Sequence, residues 1–185
     1  GDAERTTRLV ERHARSMLSR SEMTTLLSWL NALPDEVVRA KPQLSLFEAW
    51  ALVLTGQLDA VEPRLQEVEQ HRELAGEMTA IRATVAYFRR DFPGAIKLYR
   101  QALAHLPADN LFLRGAVALS GSAAVAADTV RRKIAVLAAH LLEAAAEDVV
   151  IDAGRAHVRG VPDRAVTLAE VARAAYAPPA AGLPA

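Results

Sequence analysis

The sequence predicts a mainly α protein: an α–α superhelix of about three helical pairs, followed by a long helix, a small β-hairpin and a short helix. Three observations carry this. Ala49 to Pro107 repeats itself at an offset of 34 residues, which sets Leu58 on Phe92. The offset also sets Ala49 on Ala83, Leu52 on Ala86, Ala60 on Gly94, Leu65 on Tyr99 and Val68 on Ala102, apolar or small residues throughout. Beyond Ser120 the text turns Ala-rich, and beyond Glu147 it turns to short β-branched runs around a Gly-containing turn.

Thirty-four residues is the tetratricopeptide period. The second copy carries it best, in Ala83, Phe92, Ala95, Tyr99, Ala102 and the closing Pro107. Small residues stand where two helix backbones approach, and larger ones fill the space between pairs. Such a unit cannot bury its apolar face alone, so neighbours must stack on both sides. The expected division is a repeat domain over 1–118 and a C-terminal segment over 119–185.

In chain order, Asp2 to Leu18 spaces Leu9, Val10, Ala14, Met17 and Leu18 as one helical face. Arg20-Ser21-Glu22 turns, and Leu26, Leu27, Trp29, Leu30 and Leu33 mark a second helix stopped by Pro34. This pair is a divergent first repeat, since Ala14 and Met23 precede Ala49 and Leu58 by 35 residues. A short helical turn with Val37 and Val38 follows. Gln43 to Leu54 and Asp59 to Gln70 form the second pair, with Gly56 a left-handed helix end and Pro63 within the first turns of the return helix. Leu74 to Arg90 and Pro93 to Leu106 form the third. Leu111 to Ala118 starts a fourth, whose return helix never comes. Ser120-Gly121-Ser122 instead leads into an Ala-rich helix ending near Ala146, with the stripe Val130, Ile134, Leu137, Leu141 and Leu142. Val149-Val150-Ile151 and Ala156-His157-Val158 flank Asp152-Ala153-Gly154-Arg155 as a hairpin. Thr167 and Glu170 make a capping box for a helix from Leu168 to Tyr176. The stretch 177–185 reads as coil.

Composition narrows the function. The chain holds 22 basic and 22 acidic residues, balanced both before and after Ala118, so neither part has the basic footprint of a nucleic-acid binder. It has no cysteine, which excludes disulfides and thiolate metal sites and agrees with a reducing, cytoplasmic setting. No uncharged apolar run reaches the roughly 18 residues of a membrane-spanning helix. The five histidines, His13, His71, His105, His140 and His157, include no helical-face pair, so no metal site is expected. Glu67, Glu69, Glu73 and Glu77 cluster at a helix connection and read as a solvated turn, because paired carboxylates do acid–base work only in a desolvating pocket. Arg89-Arg90 and Arg131-Arg132-Lys133 are short and offset by acids. Ser120 and Ser122 lack a base. No catalytic residue and no cofactor are expected.

Leu26-Leu27-Ser28-Trp29-Leu30-Asn31-Ala32-Leu33-Pro34, Trp50-Ala51-Leu52-Val53-Leu54-Thr55-Gly56-Gln57-Leu58 and Phe112-Leu113-Arg114-Gly115 resemble the MalT-like tetratricopeptide segment of the large ATP-dependent LuxR-type transcription activators. The resemblance covers 1–118. It implies a sensor and oligomerisation platform, without the phosphate loop or the basic recognition helix that flank it in that family. Gly121-Ser122-Ala123, Val130-Arg131-Arg132-Lys133, Ala138-Ala139-His140-Leu141-Leu142-Glu143-Ala144 and Val158-Arg159-Gly160-Val161-Pro162 resemble another group, the molybdopterin-binding large subunit of the carbon monoxide and xanthine dehydrogenases. Val166-Thr167-Leu168-Ala169-Glu170-Val171-Ala172 continues this match, which covers 120–185 as a small interior slice. It implies that Gly121 and Ser122 stand at the edge of a cofactor loop most of which is missing. The two texts join between Ala116 and Gly121.

The leading expectation is a non-catalytic interaction scaffold; the alternative is an inactive fragment of a molybdenum hydroxylase. Stacked helical pairs line their inner surface with the first helix of each pair. That puts Gln43, Leu46, Trp50 and Val53 from the second pair, and Glu77, Ala80, Thr84 and Tyr87 from the third, in a groove for a protein or peptide segment. Trp50 and Tyr87 would be its aromatic anchors. The stripe Val130, Ile134, Leu137 and Leu141 is expected to cap the open end of the array, from the same chain or a second copy. No nucleic acid and no membrane are expected as partners.

Overall fold

The computed structural model describes residues 2–176, with side chains from Thr7 onward apart from residues 15 and 19. The coil expected over 177–185 lies outside the described residues. The fold is mainly α, and the chain divides into two compact units, Gly1–Ala124 and Val125–Ala185.

In the first unit α1 (Asp2–Ser19), α2 (Met23–Asn31), the short α3 (Asp35–Arg39), α4 (Pro42–Leu54), α5 (Val61–Gln66), α6 (Ala75–Phe88) and α7 (Phe92–His105) follow one another, and α8 (Leu111–Leu141) begins. Helix α1 packs on α2 and α4, α4 on α5 and α6, and α6 on α7. The repeat is physical. Ala49 and Ala83, Leu65 and Tyr99, and Val68 and Ala102 are buried pair by pair. So is the connection: the first helix of each pair ends on a left-handed residue, Ser21, Gly56 and Arg90, with φ of 61°, 79° and 63°. At each end the next amide closes the same long backbone bond, Glu22 to Met17, Gln57 to Leu52 and Asp91 to Ala86, at 2.9 Å. This is the six-residue helix-ending motif, recurring at the spacing of 35 and then 34 read from the side chains.

Helix α7 opens on Asp91, whose carboxylate accepts the Gly94 amide at 3.0 Å. Its far end passes α6 so closely that a Cβ on Gly76 would lie 2.8 Å from the Leu106 nitrogen. The helix expected over Asp59 to Gln70 is shorter: a 3-10 turn at Leu58–Ala60 precedes α5, Pro63 sits in the first turn of α5 where proline is tolerated, and turns follow Gln66.

Helix α8 corrects the sequence reading. Ser120-Gly121-Ser122 does not interrupt it: 31 residues run as one helix that ends at Leu141, short of Ala146. Gly121 lies under Tyr99, where an added Cβ would stand 3.3 Å from the Tyr99 Cβ. The Ser122 hydroxyl bonds back to the Ala118 carbonyl at 3.0 Å. Val117 and Ala124, with Leu113 beside them, complete a core with Ala80, Ala83, Ala95, Tyr99, Ala102 and Leu106. This early part of α8 covers the third helical pair. Helix α8 also has the length and apolar composition that could cross a membrane, the single such helix among the described residues.

The second unit holds the rest of α8, a three-stranded antiparallel sheet in the order β1 (Val149–Asp152), β2 (Arg155–Val158), β3 (Val161–Thr167), and α9 (Leu168–Tyr176). The expected hairpin is present, with Val149 opposite Val158 and Asp152 opposite Arg155. Ala153 and Gly154 turn it at φ of 45° and 77°. Strand β3 is an addition, and its Pro162 sits on the edge where a missing N–H costs no ladder bond. The capping box at α9 forms as read: Glu170 Oε2 accepts the Thr167 amide at 2.7 Å, and the Thr167 hydroxyl accepts the Glu170 amide at 3.2 Å. Ile134 and Leu137 pack here, against Ala138, Leu142, Val149, Ala156 and Val171, while Val130 and Leu141 are exposed. Ile134 and Leu137 of the expected capping stripe therefore pack within their own unit.

Candidate functional site

Between α4, α6 and the start of α8 lies a cavity of about 360 Å³, within the first unit. Its apolar walls are Phe47, Trp50 and Leu54 of α4, Leu18 of α1, and Phe112, Leu113, Ala116 and Val117 of α8. Its polar atoms belong to Glu77 and Thr84 of α6, Tyr99 of α7, and Asn110 and Ser120. Each is placed by an identifiable bond. The Trp50 indole donates to Glu77 Oε1 at 3.0 Å and ties α4 to α6. The Tyr99 phenol donates to the Thr84 hydroxyl at 3.1 Å, and that hydroxyl donates to the Ala80 carbonyl at 2.9 Å. Burial pushes the phenol above its ordinary range, while hydrogen bonding to Thr84 and to Ser120 opposes the rise. Asn110 accepts the Leu113 amide at 3.3 Å and so starts α8 beside the cavity.

Of the eight groove residues expected, Trp50, Glu77 and Thr84 line this cavity. Leu46, Val53 and Ala80 do not, being wholly buried between helices. Gln43 is also outside the lining, with its amide nitrogen buried and unpartnered. Tyr87 points elsewhere, into edge-to-face contacts with Phe88 and Phe92 at 5.8 and 5.7 Å between ring centres. Helix α8 turns an open groove into a compact hollow. The missed residues include Tyr99 and those of α8: continuing 34 residues beyond Glu77 and Thr84 lands on Leu111 and Ala118, which are neighbours of the lining residues in sequence but do not line the hollow.

The other candidates resolve into pairs. Glu67 meets Arg64 and Arg39 at 3.3 Å, Glu69 meets Arg82 at 3.6 Å and Glu73 meets His71 at 3.2 Å, so the acidic cluster is dispersed. Arg89 pairs with Asp59 and Arg132 with Asp128. Among the described residues no group of His, Asp and Glu is arranged to hold a metal ion. Glu48, 5% exposed, is buried 3.0 Å from Arg64 Nε. Desolvation raises its pKa despite Arg64.

Fold and cavity together describe a mainly α array of packed helices around an apolar hollow. Two comparisons give its relatives. The chain is similar to the HTH-type transcriptional regulator MalT of Cronobacter sakazakii, 34% identical over 120 residues, covering 62% of this chain and 13% of that protein. The regulator of the same name from Serratia proteamaculans is 32% identical over 111 residues, covering 55% of this chain and 12% of its own length. That from Klebsiella pneumoniae strain 342 is 31% identical over 120 residues, covering 62% and 13%. The chain thus spans about an eighth of the curated relatives it matches. Residues 114–184 match the family model of the molybdopterin cofactor-binding domain. Both resemblances read from the sequence are therefore found. No solved structure matches.

The residues of the second match do not fit a pterin cofactor. Phosphate and pterin groups are held by free backbone amides in loops or at helix starts. Here Gly121, Ser122 and Ala123 lie ten or more residues inside a continuous helix, where amides are spent on carbonyls four residues back. The space above Gly121 is taken by Tyr99. Arg164, on β3, is turned to the Leu142 and Glu143 carbonyls at the end of α8.

Proposed function

We propose that this chain is a non-catalytic, cytoplasmic interaction module of the LuxR-type regulator kind, in which occupation of the α4–α6–α8 cavity is the working event. The observation that carries this reading is the cavity itself: an apolar hollow with a few convergent polar groups, the usual character of a binding site. The resemblance to regulators supports a sensor role over an enzymatic one. The test is a thermal-shift screen of neutral small molecules on the full chain. A ligand that binds the folded state raises the melting midpoint. Hits should lose that effect in Leu54→Glu, which puts a charge on the cavity rim. Hits that raise both proteins equally bind elsewhere and refute the reading.

A second reading, self-association, is favoured by one observation. Leu111, Phe112 and Leu119 on α8 are 76%, 74% and 74% exposed. No charge interrupts α8 from Gly115 to Ala127, so two copies would bring no like charges together. Sedimentation should show a dimer in the native chain and a monomer in Leu119→Asp; a native monomer at high concentration removes this reading.

A further inference from the structure

The cavity has one wall of different character from the rest. Its α4 and α6 walls lie in the stretch that resembles the regulators, whereas Ala116, Val117 and Ser120 lie within residues 114–184, matched to the cofactor-binding domain. At about 360 Å³ the hollow is near the small end of ligand sites, which run from about 300 to 1,000 Å³, so a compact occupant fits it better than an extended segment. Its polarity is local. The Tyr99 phenol spends its proton on Thr84, and Ser120 stands within hydrogen-bonding reach of the same phenol. A serine hydroxyl rotates freely and both donates and accepts, so Ser120 is the adaptable polar group of this wall.

We propose that the α8 wall determines which ligand the cavity admits, and that the ligand is a compact molecule with an apolar body and one hydroxyl or carbonyl directed at Ser120. This rests on the cavity being the working site. Ala116 and Val117 set the room available to the apolar body, and Ser120 rewards the polar end.

Indole N–H resonances of the ¹⁵N-labelled full chain test it, because one of the two tryptophans lines the cavity and Trp29, on α2, does not. The probes are 2-naphthol and naphthalene, matched but for a hydroxyl. The expected result is that both move the Trp50 signal and leave Trp29 in place, with 2-naphthol binding tighter. Ser120→Ala should weaken 2-naphthol by about fivefold, the worth of one neutral hydrogen bond, and leave naphthalene unchanged. Ala116→Phe should abolish both by filling the hollow. Equal affinity of the two probes, with no effect of Ser120→Ala, overturns the α8 inference while the cavity reading stands. No movement of Trp50 with either probe overturns the cavity reading and the inference with it.

Discussion

Trp50 and Tyr87 held equivalent places in the sequence argument and have different places in the fold. Trp50 reaches across to Glu77 on the neighbouring first helix and lines the hollow. Tyr87, the last residue but one of α6, has Phe88 and Phe92 as edge-to-face neighbours and turns to them. Position on a helical face was legible from the period; a ring's choice between two apolar surroundings was not. Glu48 shows a similar limit, since nothing in its spacing announces burial. Its raised pKa means that Glu48 contributes stability fully present below its unfolded value of 4.5 and lost as pH rises through the folded one. Glu48→Gln is therefore expected to raise the melting midpoint at pH 7, with the gain shrinking as pH falls towards 4.5. Removing the partner instead strands the charge, so Arg64→Met should cost about 2 kcal/mol at pH 7. Denaturant titrations at two pH values check both signs; a loss of stability in Glu48→Gln at pH 7 would show that the Arg64 pairing outweighs desolvation.

At the scale of the element, one backbone motif accounts for the repeat and its failure explains α8. Left-handed residues at Ser21, Gly56 and Arg90 end the first helix of each pair. A fourth such turn would fall 34 residues beyond Arg90, at Ala124, which is instead helical and buried among alanines. The helix runs on until Glu143 takes φ of 47° and Ala144 closes the same long bond to Ala139 at 2.9 Å. Sequence alone offered Ser120-Gly121-Ser122 as the break, because serine and glycine weaken a helix locally. Packing of Tyr99 over Gly121 overrides that preference. Strand β3 escaped for a related reason: Pro162, Asp163 and Arg164 look like loop, and they form the irregular stretch between Val161 and Ala165, the residues on either side that pair with β2. The turn motif also predicts opposite signs at equivalent positions. An L-residue in the left-handed region costs roughly 1–2 kcal/mol. Arg90→Gly should thus stabilise the chain and Gly56→Ala destabilise it, each by about 1 kcal/mol after glycine's greater chain entropy is counted. Thermal melts of the two variants, moving in opposite directions, are the expected outcome; parallel movement would mean the three turns are not equivalent. The bond at the end of α7 belongs to this scale too. Arg114 Nη1 donates to both the Leu103 and the Leu106 carbonyl, at 2.8 and 2.9 Å, and a lysine ammonium, on a side chain one bond shorter, does not reach the same point without strain. Arg114→Lys should therefore recover only part of the stability lost in Arg114→Ala.

For the whole molecule, the boundary between the two textual resemblances is not a boundary in the backbone. The match to the cofactor-binding domain begins at residue 114, three residues into α8, yet residues up to Ala124 belong to the first compact unit. The expected division at 118 and 119 was drawn from changing text, and the physical one is set by which core each turn of α8 enters. Val117 and Ala124 enter the core of Ala83 and Tyr99, while Ile134 and Leu137 enter that of Val149 and Val171. The two halves of the one helix therefore answer to different partners, and a charge buried in each half should open a different set of amides. Burying an uncompensated carboxylate is among the largest single-residue effects. Leu137→Asp is expected to speed hydrogen exchange in β1, β2 and α9, and Val117→Asp to speed it in α6 and α7. Were the stripe a cap on the helical array instead, Leu137→Asp would expose amides around Tyr99 and leave the sheet protected. Exchange measured by mass spectrometry on the intact chain separates these outcomes, because peptides from α6 and α7 and peptides from the sheet report independently.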